Sequence, residues 1–228
     1  MAKANLVKTA QSNIYSRGKR VEYTSLKGKR EGQILSKIDR TQPYDETDTV
    51  LIKKGESYYW WQFLHGGKNI SKTQPRQSQL TQSEFMSCYY SMQEQIEDIS
   101  VITITNAEEL SEFIENIKSN AETLRDETQD KLDGIPDSLQ SSPTGELMQE
   151  RIDEMDEIIS QFDDIDVEYD EDIDDINTDV ANDLDINTGV DGWEKELPEE
   201  NVNDKKQEKL QEWVDERIEE IRNVCFSF

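Results

Sequence analysis

Cut at Tyr90, the chain separates into two parts of opposite charge. Residues 1–90 carry 15 Lys and Arg against 8 Asp and Glu, a net +7, and residues 91–228 carry 10 against 43, a net −33. No other property constrains the fold as strongly. A stretch with 43 carboxylates in 138 residues repels itself and folds only where its apolar side chains share a face. With apolar residues at 33% of 228 positions, one large core is not expected, and length allows one or two domains. Asymmetry of this size points to a partner with its own charge pattern, or to pairing within the chain or an oligomer.

Several classes fall away on composition. No run of about 18 apolar residues is present, so no membrane partner is expected. The opening MAKANLVKTAQSN has no apolar core of the kind a secretory signal needs. Cys88 and Cys225 are too few for a disulfide framework or a four-ligand zinc site. The chain reads as a reduced protein of the cytosol with no cofactor.

Along the chain, residues 1–82 read as a basic, β-rich head. Its first 13 residues are polar and are expected to form a flexible arm. Gly18-Lys19-Arg20 recurs ten residues on as Gly28-Lys29-Arg30, among apolar residues too sparse to assign an element, and residues 41–48 read as a polar loop. Val50-Leu51-Ile52, a turn at Lys54-Gly55-Glu56, the aromatic run Tyr58-Tyr59-Trp60-Trp61 and a Gly66-Gly67 turn predict a small β-hairpin unit over 50–74.

From Thr81 the period changes. Thr81 or Ser83 caps a helix whose seam is Phe85, Tyr89, Met92, Ile96 and Ile99. Thr105 or Asn106 caps a second, with Leu110, Phe113 or Ile114, Ile117, Ala121, Leu124 and Leu132 as its stripe, stopped by Gly134-Ile135-Pro136. Pro143 or Thr144 opens a third, carrying Met148, Ile152, Met155, Ile159 and Phe162. Residues 83–162 therefore predict long antiparallel, coiled-coil-like helices. Residues 163–197 are expected to be an acidic linker, because isolated Ile and Val among many Asp leave no amphipathic period. Residues 198–228 form a last amphipathic helix with an apolar end. Trp213, Val214, Ile218 and Phe226 are its candidate partner-binding residues, set against the alternative that the segment folds back on the helical hairpin.

No catalytic constellation emerges, and no enzyme is expected. His65, the only histidine, precedes Gly66-Gly67 and reads as a turn residue; a Cys88–His65 pair is the one nucleophilic arrangement that can be written. Asp183, Asp185, Asn187 and Glu194 match calcium-loop spacing, but Thr188 stands where that loop needs glycine, so a solvated acidic segment is the expectation. The head suits nucleic acid. Arg17, Lys19, Arg20, Lys27, Lys29 and Arg30 lie beside glycines, where cation and backbone can approach a phosphate together. Tyr59 and Trp61, beside Lys53, Lys54, Lys68 and Lys72, are placed to stack bases. The competing role for the aromatics is to fill the core of a small β unit, with about half of the run buried.

Lys54-Gly55-Glu56-x-Tyr58-x-Trp60-Trp61-x-Phe63, then Gly66-Gly67-Lys68, then Pro75-x-x-Ser78-x-Leu80-Thr81-Gln82-Ser83 resembles uncharacterised proteins of tailed bacteriophages. In those proteins the aromatic hairpin belongs to a zinc-ribbon-like module. Ile135-Pro136-Asp137-Ser138-Leu139-Gln140, with Pro143-Thr144-Gly145-Glu146-Leu147 and Gln149-Glu150-Arg151, resembles the helical hairpin that follows it. The likeness covers about residues 55–162. The relatives' cysteines would fall near 45–51 and 71–73, where this chain has none, so the resemblance implies a zinc site that has been lost and a hairpin held by aromatic packing.

The expected fold is α+β: a small basic β-rich head, an antiparallel helical hairpin, an acidic tether and a terminal helix. The expected function is non-enzymatic binding in a bacteriophage, with the head on nucleic acid or a nucleoprotein complex and the helices mediating protein association, including a homo-oligomer. An acidic DNA mimic that inhibits a host defence or transcription complex is one alternative. A virion or assembly component is the other. The place of action would be the host cytoplasm or the virion.

Overall fold

Among the described residues, strand-forming stretches in the first 87 positions pair into three small antiparallel sheets. The computed structural model describes all residues except Lys27, Lys29, Arg30, His65, 100–103, Asn187, 189–192 and Phe228, and the side chains of Lys195 and Glu196. The chain is α+β, with strands first and helices after. It divides into two compact units, Met1–Ser87 and Cys88–Phe228.

In the first unit, β1 (Asn5–Val7), β6 (Tyr58–Gln62) and β7 (Lys68–Ser71) form one sheet. Within it Trp60 pairs with Ile70 on one side and Asn5 on the other. Of the β-hairpin unit expected over 50–74, the pairing of β6 with β7 is present. Two expectations near it are corrected. The polar N-terminal segment is not a free arm, because its Asn5–Val7 supplies the ladder on the open edge of β6. Nor does β5 (Val50–Ile52) belong to that hairpin, since it pairs with β2 (Ile14–Tyr15). The turn at Gly55, where φ is +95°, separates the two, and Gly55 N–H donates to the Ala10 carbonyl at 2.9 Å. The stretch too sparse to assign forms the longest ladder of the unit, β3 (Lys19–Thr24) against β4 (Ile34–Asp39). Ala10, Ile14 and Ile52 make a small buried core, with Tyr58 and Ile70 packed against it.

The second unit is helical. Helix α1 (Glu84–Glu97) begins in the first unit and runs into this one. Its Ser83 hydroxyl accepts from Met86 N–H at 3.3 Å. Asn106 caps α2 (Ala107–Asp133) by accepting from Glu109 N–H at 2.8 Å. The buried stripe of α2 is Leu110, Ile114, Ile117, Ala121, Leu124, Thr128 and Leu132. A short turn, α3 (Asp137–Gln140), leads to α4 (Pro143–Asp163), which buries Ile152, Met155, Ile159 and Phe162 as expected and also Ile158. Gly145 is required there, because a Cβ would lie 2.0 Å from the Gln140 carbonyl oxygen. Helices α2 and α4 run antiparallel, since Lys118 pairs with Asp163 while Arg125, two turns on, pairs with Asp156, about two turns back.

The acidic stretch is a further correction. Ile173–Asp183 forms helix α5, capped by Asp172, and buries Ile176, Val180 and Ala181. It packs on α6 (Glu199–Arg222), whose lysines meet carboxylates on α5 and just before it: Lys209 with Asp175 and, at 2.7 Å, Asp179; Lys206 with Glu171 at 3.2 Å. Three apolar residues at i, i+4 and i+5, plus this pairing, suffice where charge density alone predicted a linker.

The chain end folds back. Phe226 stacks edge-on against Tyr89 with ring centroids 5.2 Å apart, and Tyr89 Oη donates to Glu154 Oε1 at 2.8 Å. Ser227 N–H donates to the same oxygen at 2.6 Å, and Cys225 N–H to Gln161 Oε1 at 2.8 Å. Val214 is fully buried, and Trp213 lies against Tyr169 with centroids 5.4 Å apart. The partner-binding assignment of Trp213, Val214, Ile218 and Phe226 is therefore corrected: Val214 has no surface to offer, Ile218 is half-buried, and the two aromatics already have partners in the chain.

Candidate nucleic-acid interface

The β3–β4 ladder alternates its side chains between two faces, as any strand pair must. Arg20 sits opposite Ile38 and so shares a face with Ile38 and Ser36, whereas Lys19, Tyr23 and Lys37 occupy the other. Across that second face the Lys37 ammonium stands 5.7 Å from the Tyr23 ring centroid. On the first, Arg20 Nε donates to Ser36 Oγ at 3.1 Å, and among the described residues Arg20 has no acidic partner. Its remaining guanidinium donors are uncommitted.

The loop between β4 and β5 borders this face through Tyr44. Its organiser is Asp48, only 9% exposed. One carboxylate oxygen accepts from the Ser16 hydroxyl and from Arg17 N–H at 2.9 Å. The other accepts from Gly18 N–H and Tyr44 N–H, both at 2.9 Å. Burial would raise the Asp48 pKa, but the Ser16 hydroxyl and the three backbone donors more than offset this and hold it below the usual carboxylate range. Gly18 is needed twice over, by a φ of +75° and because a Cβ would lie 2.7 Å from Arg40 Cα. Its N–H is committed to Asp48, so it is not the free phosphate donor that its place beside Lys19 suggested.

Arg17, Gly18, Arg20, Ser36, Ile38 and Tyr44, with Lys37, enclose a concavity of about 680 Å³. The Arg17 guanidinium lies 5.0 Å from the Tyr44 ring centroid and donates to Asp45 at 2.7 Å. The Thr47 hydroxyl first, and Arg17 after it, hold the Asp45 carboxyl below its ordinary range. Two side chains that would ordinarily be covered stand open here: Tyr44 is 60% exposed and Ile38 is 65% exposed. The site thus offers a cation that is ion-paired to no carboxylate among the described residues, although Glu22 shares its face of the ladder, together with a compensated guanidinium on an aromatic ring and an uncovered apolar wall.

The other sequence-selected residues divide. Lys53 and Lys54 are exposed at the Gly55 turn. Lys68 covers the Trp60 ring, 4.3 Å from its centroid, and Lys72 pairs with Glu56 at 3.2 Å. Tyr59 is half-buried on the face opposite Trp60. Trp61 is corrected: at 7% exposure it belongs to the interior and has no face to stack a base. Lys27, Lys29 and Arg30 lie outside the described residues. Sequence reasoning missed Tyr44, Ile38 and Asp48. The signal available for them was an aromatic after Pro43 and two Asp three residues apart, which is turn chemistry.

Elsewhere, Cys88 is exposed and borders a concavity of about 300 Å³ with Met92, Gln95, Thr123 and Leu124. His65 lies outside the described residues, as does Asn187 of the calcium-like spacing. Among the described residues no group of three or more His, Cys, Asp or Glu is placed to hold a metal ion, and no helix is long and apolar enough to cross a membrane. Compared with protein-family models, with curated proteins and with solved structures, the chain matches none.

Proposed function

We propose that this chain is a non-enzymatic binding protein of a bacteriophage, acting in the host cytoplasm, whose β-rich unit contacts nucleic acid or a nucleoprotein complex while the helical unit mediates protein association. One observation carries the proposal: the charge division coincides with the structural one. Met1–Ser87 holds all the basic excess, +7, and Cys88–Phe228 holds −33. A fold that only needed solubility gains nothing from a cationic unit in an anionic chain. A fold that must hold a polyanion through one unit alone does.

The test is anisotropy of labelled 20-mers with the full chain. If three phosphates are neutralised, single-strand affinity falls about 20-fold between 50 and 200 mM salt. Binding to no nucleic acid at any salt would overturn the proposal. A second reading, the acidic DNA mimic, is favoured by helix α5, which holds in fixed positions carboxylates that a linker would leave free. Its mark is competition with DNA for a host protein by a chain that binds no DNA itself.

A further inference from the structure

Resting on that nucleic-acid reading, we infer that the concavity between the β3–β4 ladder and the β4–β5 loop holds a nucleotide of a single strand, with the base against Tyr44 and Ile38 and the phosphate on Arg20. Four features of the concavity converge on this.

The first is exposure. Tyr44 and Ile38 are both more than half exposed at a concave place beside cations. A duplex keeps its base faces stacked inside and presents phosphates and groove edges, so it needs cations here and leaves an aromatic face unused. A single strand splays its bases, and every base has a π-face for an aromatic or a guanidinium plane. The Tyr44 ring with the Arg17 guanidinium at 5.0 Å supplies both.

The second is charge. Arg17 is compensated by Asp45 and so contributes a surface more than a net charge. Arg20 is aimed by Ser36 Oγ through Nε and keeps its other donors for an anion. Within one concavity the anion and the base therefore have separate receivers. A nucleotide has that division too.

The third is size. About 680 Å³ falls within the range of about 300–1,000 Å³ typical of sites for small organic ligands, so one nucleotide fits. The fourth is preorganisation. Asp48 fixes Arg17, Gly18 and Tyr44 through their backbone N–H groups, so little ordering is left to be done on binding.

The experiment uses the full chain with dT20, rU20 and a 20-base-pair duplex, and the variants Tyr44→Ala, Ile38→Ser and Arg20→Ala. Either single strand should bind at least about tenfold tighter than the duplex, and which one binds tighter separates DNA from RNA as the source. Tyr44→Ala should weaken single-strand binding by about 5- to 150-fold, the worth of one stacked base, and leave duplex binding unchanged. Arg20→Ala should weaken both and flatten the salt dependence by one phosphate. Both apolar side chains are exposed, so folding survives their removal, and unchanged circular dichroism checks this. Duplex binding as tight as single-strand binding, or Tyr44→Ala and Ile38→Ser both within twofold of the parent, overturns this inference and leaves the broader reading standing. Binding to no nucleic acid overturns both.

Discussion

Asp48 is the side chain on which the proposed site depends without touching any ligand. Replacing it with Ala removes the acceptor of one hydroxyl and three backbone N–H groups in a nearly closed loop. Donors so stranded are costly, and bonds to a charged acceptor are the stronger kind. For a unit of 87 residues the midpoint of thermal unfolding should fall on the order of 10–20 °C, allowing for water reaching some of the donors. Asp48→Asn is the sharper test. Each carboxylate oxygen serves two donors, so an amide can satisfy one pair with its oxygen and must turn its NH₂ on the other. Asn, nearly identical in shape, should therefore be about as damaging as Ala. Amide exchange over 14–24 and 40–50 should accelerate in both variants, and single-strand affinity should drop toward that of Tyr44→Ala. The pH dependence has a fixed sign. The folded-state pKa is depressed, so this stabilisation is complete above the ordinary carboxylate pKa of about 3.9 and is lost as pH falls below it toward the folded value. An Asp48→Asn protein melting within about 2 °C of the parent would refute the reasoning.

Other outcomes follow from the helical unit. Ile117→Ala or Met155→Ala, each at a fully buried position of the α2–α4 seam, should cost about 2–5 kcal/mol by chemical denaturation, while Leu147→Ala on the exposed side of α4 should cost less than about 1; equal losses would void the seam. Lys209→Ala should speed amide exchange over 173–183, because Asp175 first and Asp179 after it raise the Lys209 pKa by pairing with it, and 1 M salt, which screens the carboxylate repulsion those pairs cancel, should narrow the difference from the parent. Phe226→Ala should lower stability by about 1–2 kcal/mol through loss of the ring contact with Tyr89, and an unchanged denaturation curve would show that the chain end does not dock.

How much of this was legible depended on which physical term dominated locally. Where burial dominates, the sequence pattern suffices: Leu110, Ile117, Ala121 and Leu124 recur at helical spacing, and each is buried on α2. Where hydrogen bonding dominates, it does not. Among the described residues the first unit buries few apolar side chains, among them Ala10, Ile14, Ile52, Trp61 and Phe85, so its architecture rests largely on ladders and on Asp48. Neither leaves a periodic trace. Asn5–Val7 pairs with β6 by backbone donors and acceptors that every residue but proline carries. Tyr44 is part of the site because of where Asp48 pulls its N–H, and composition holds no record of that. Trp61 shows the converse: its residue type suited stacking and core alike, and only its register decided for the core.

The α5 segment carries the same argument to the acidic unit. Judged by itself, 163–197 is too charged to compact, and as an isolated peptide it should not. What offsets the repulsion is remote in sequence. Lys205, Lys206 and Lys209 lie on one side of α6, and each reaches a carboxylate of the 171–183 region: Asp183 at 3.8 Å, Glu171 at 3.2 Å, and Asp179 at 2.7 Å with Asp175 beside it. The charged heads are partly shielded, and exposed pairs of this kind contribute little one at a time. Their effect is to cancel like-charge repulsion along α5, so that the burial of Ile176, Val180 and Ala181 decides the outcome. Helix α5 therefore tolerates its charge because three of the six lysines of the acidic unit are gathered on one side of α6, within reach of carboxylates on α5 and just before it. Scattering the same three lysines over α2 and α4 would keep the net charge and remove the reason for α5 to fold.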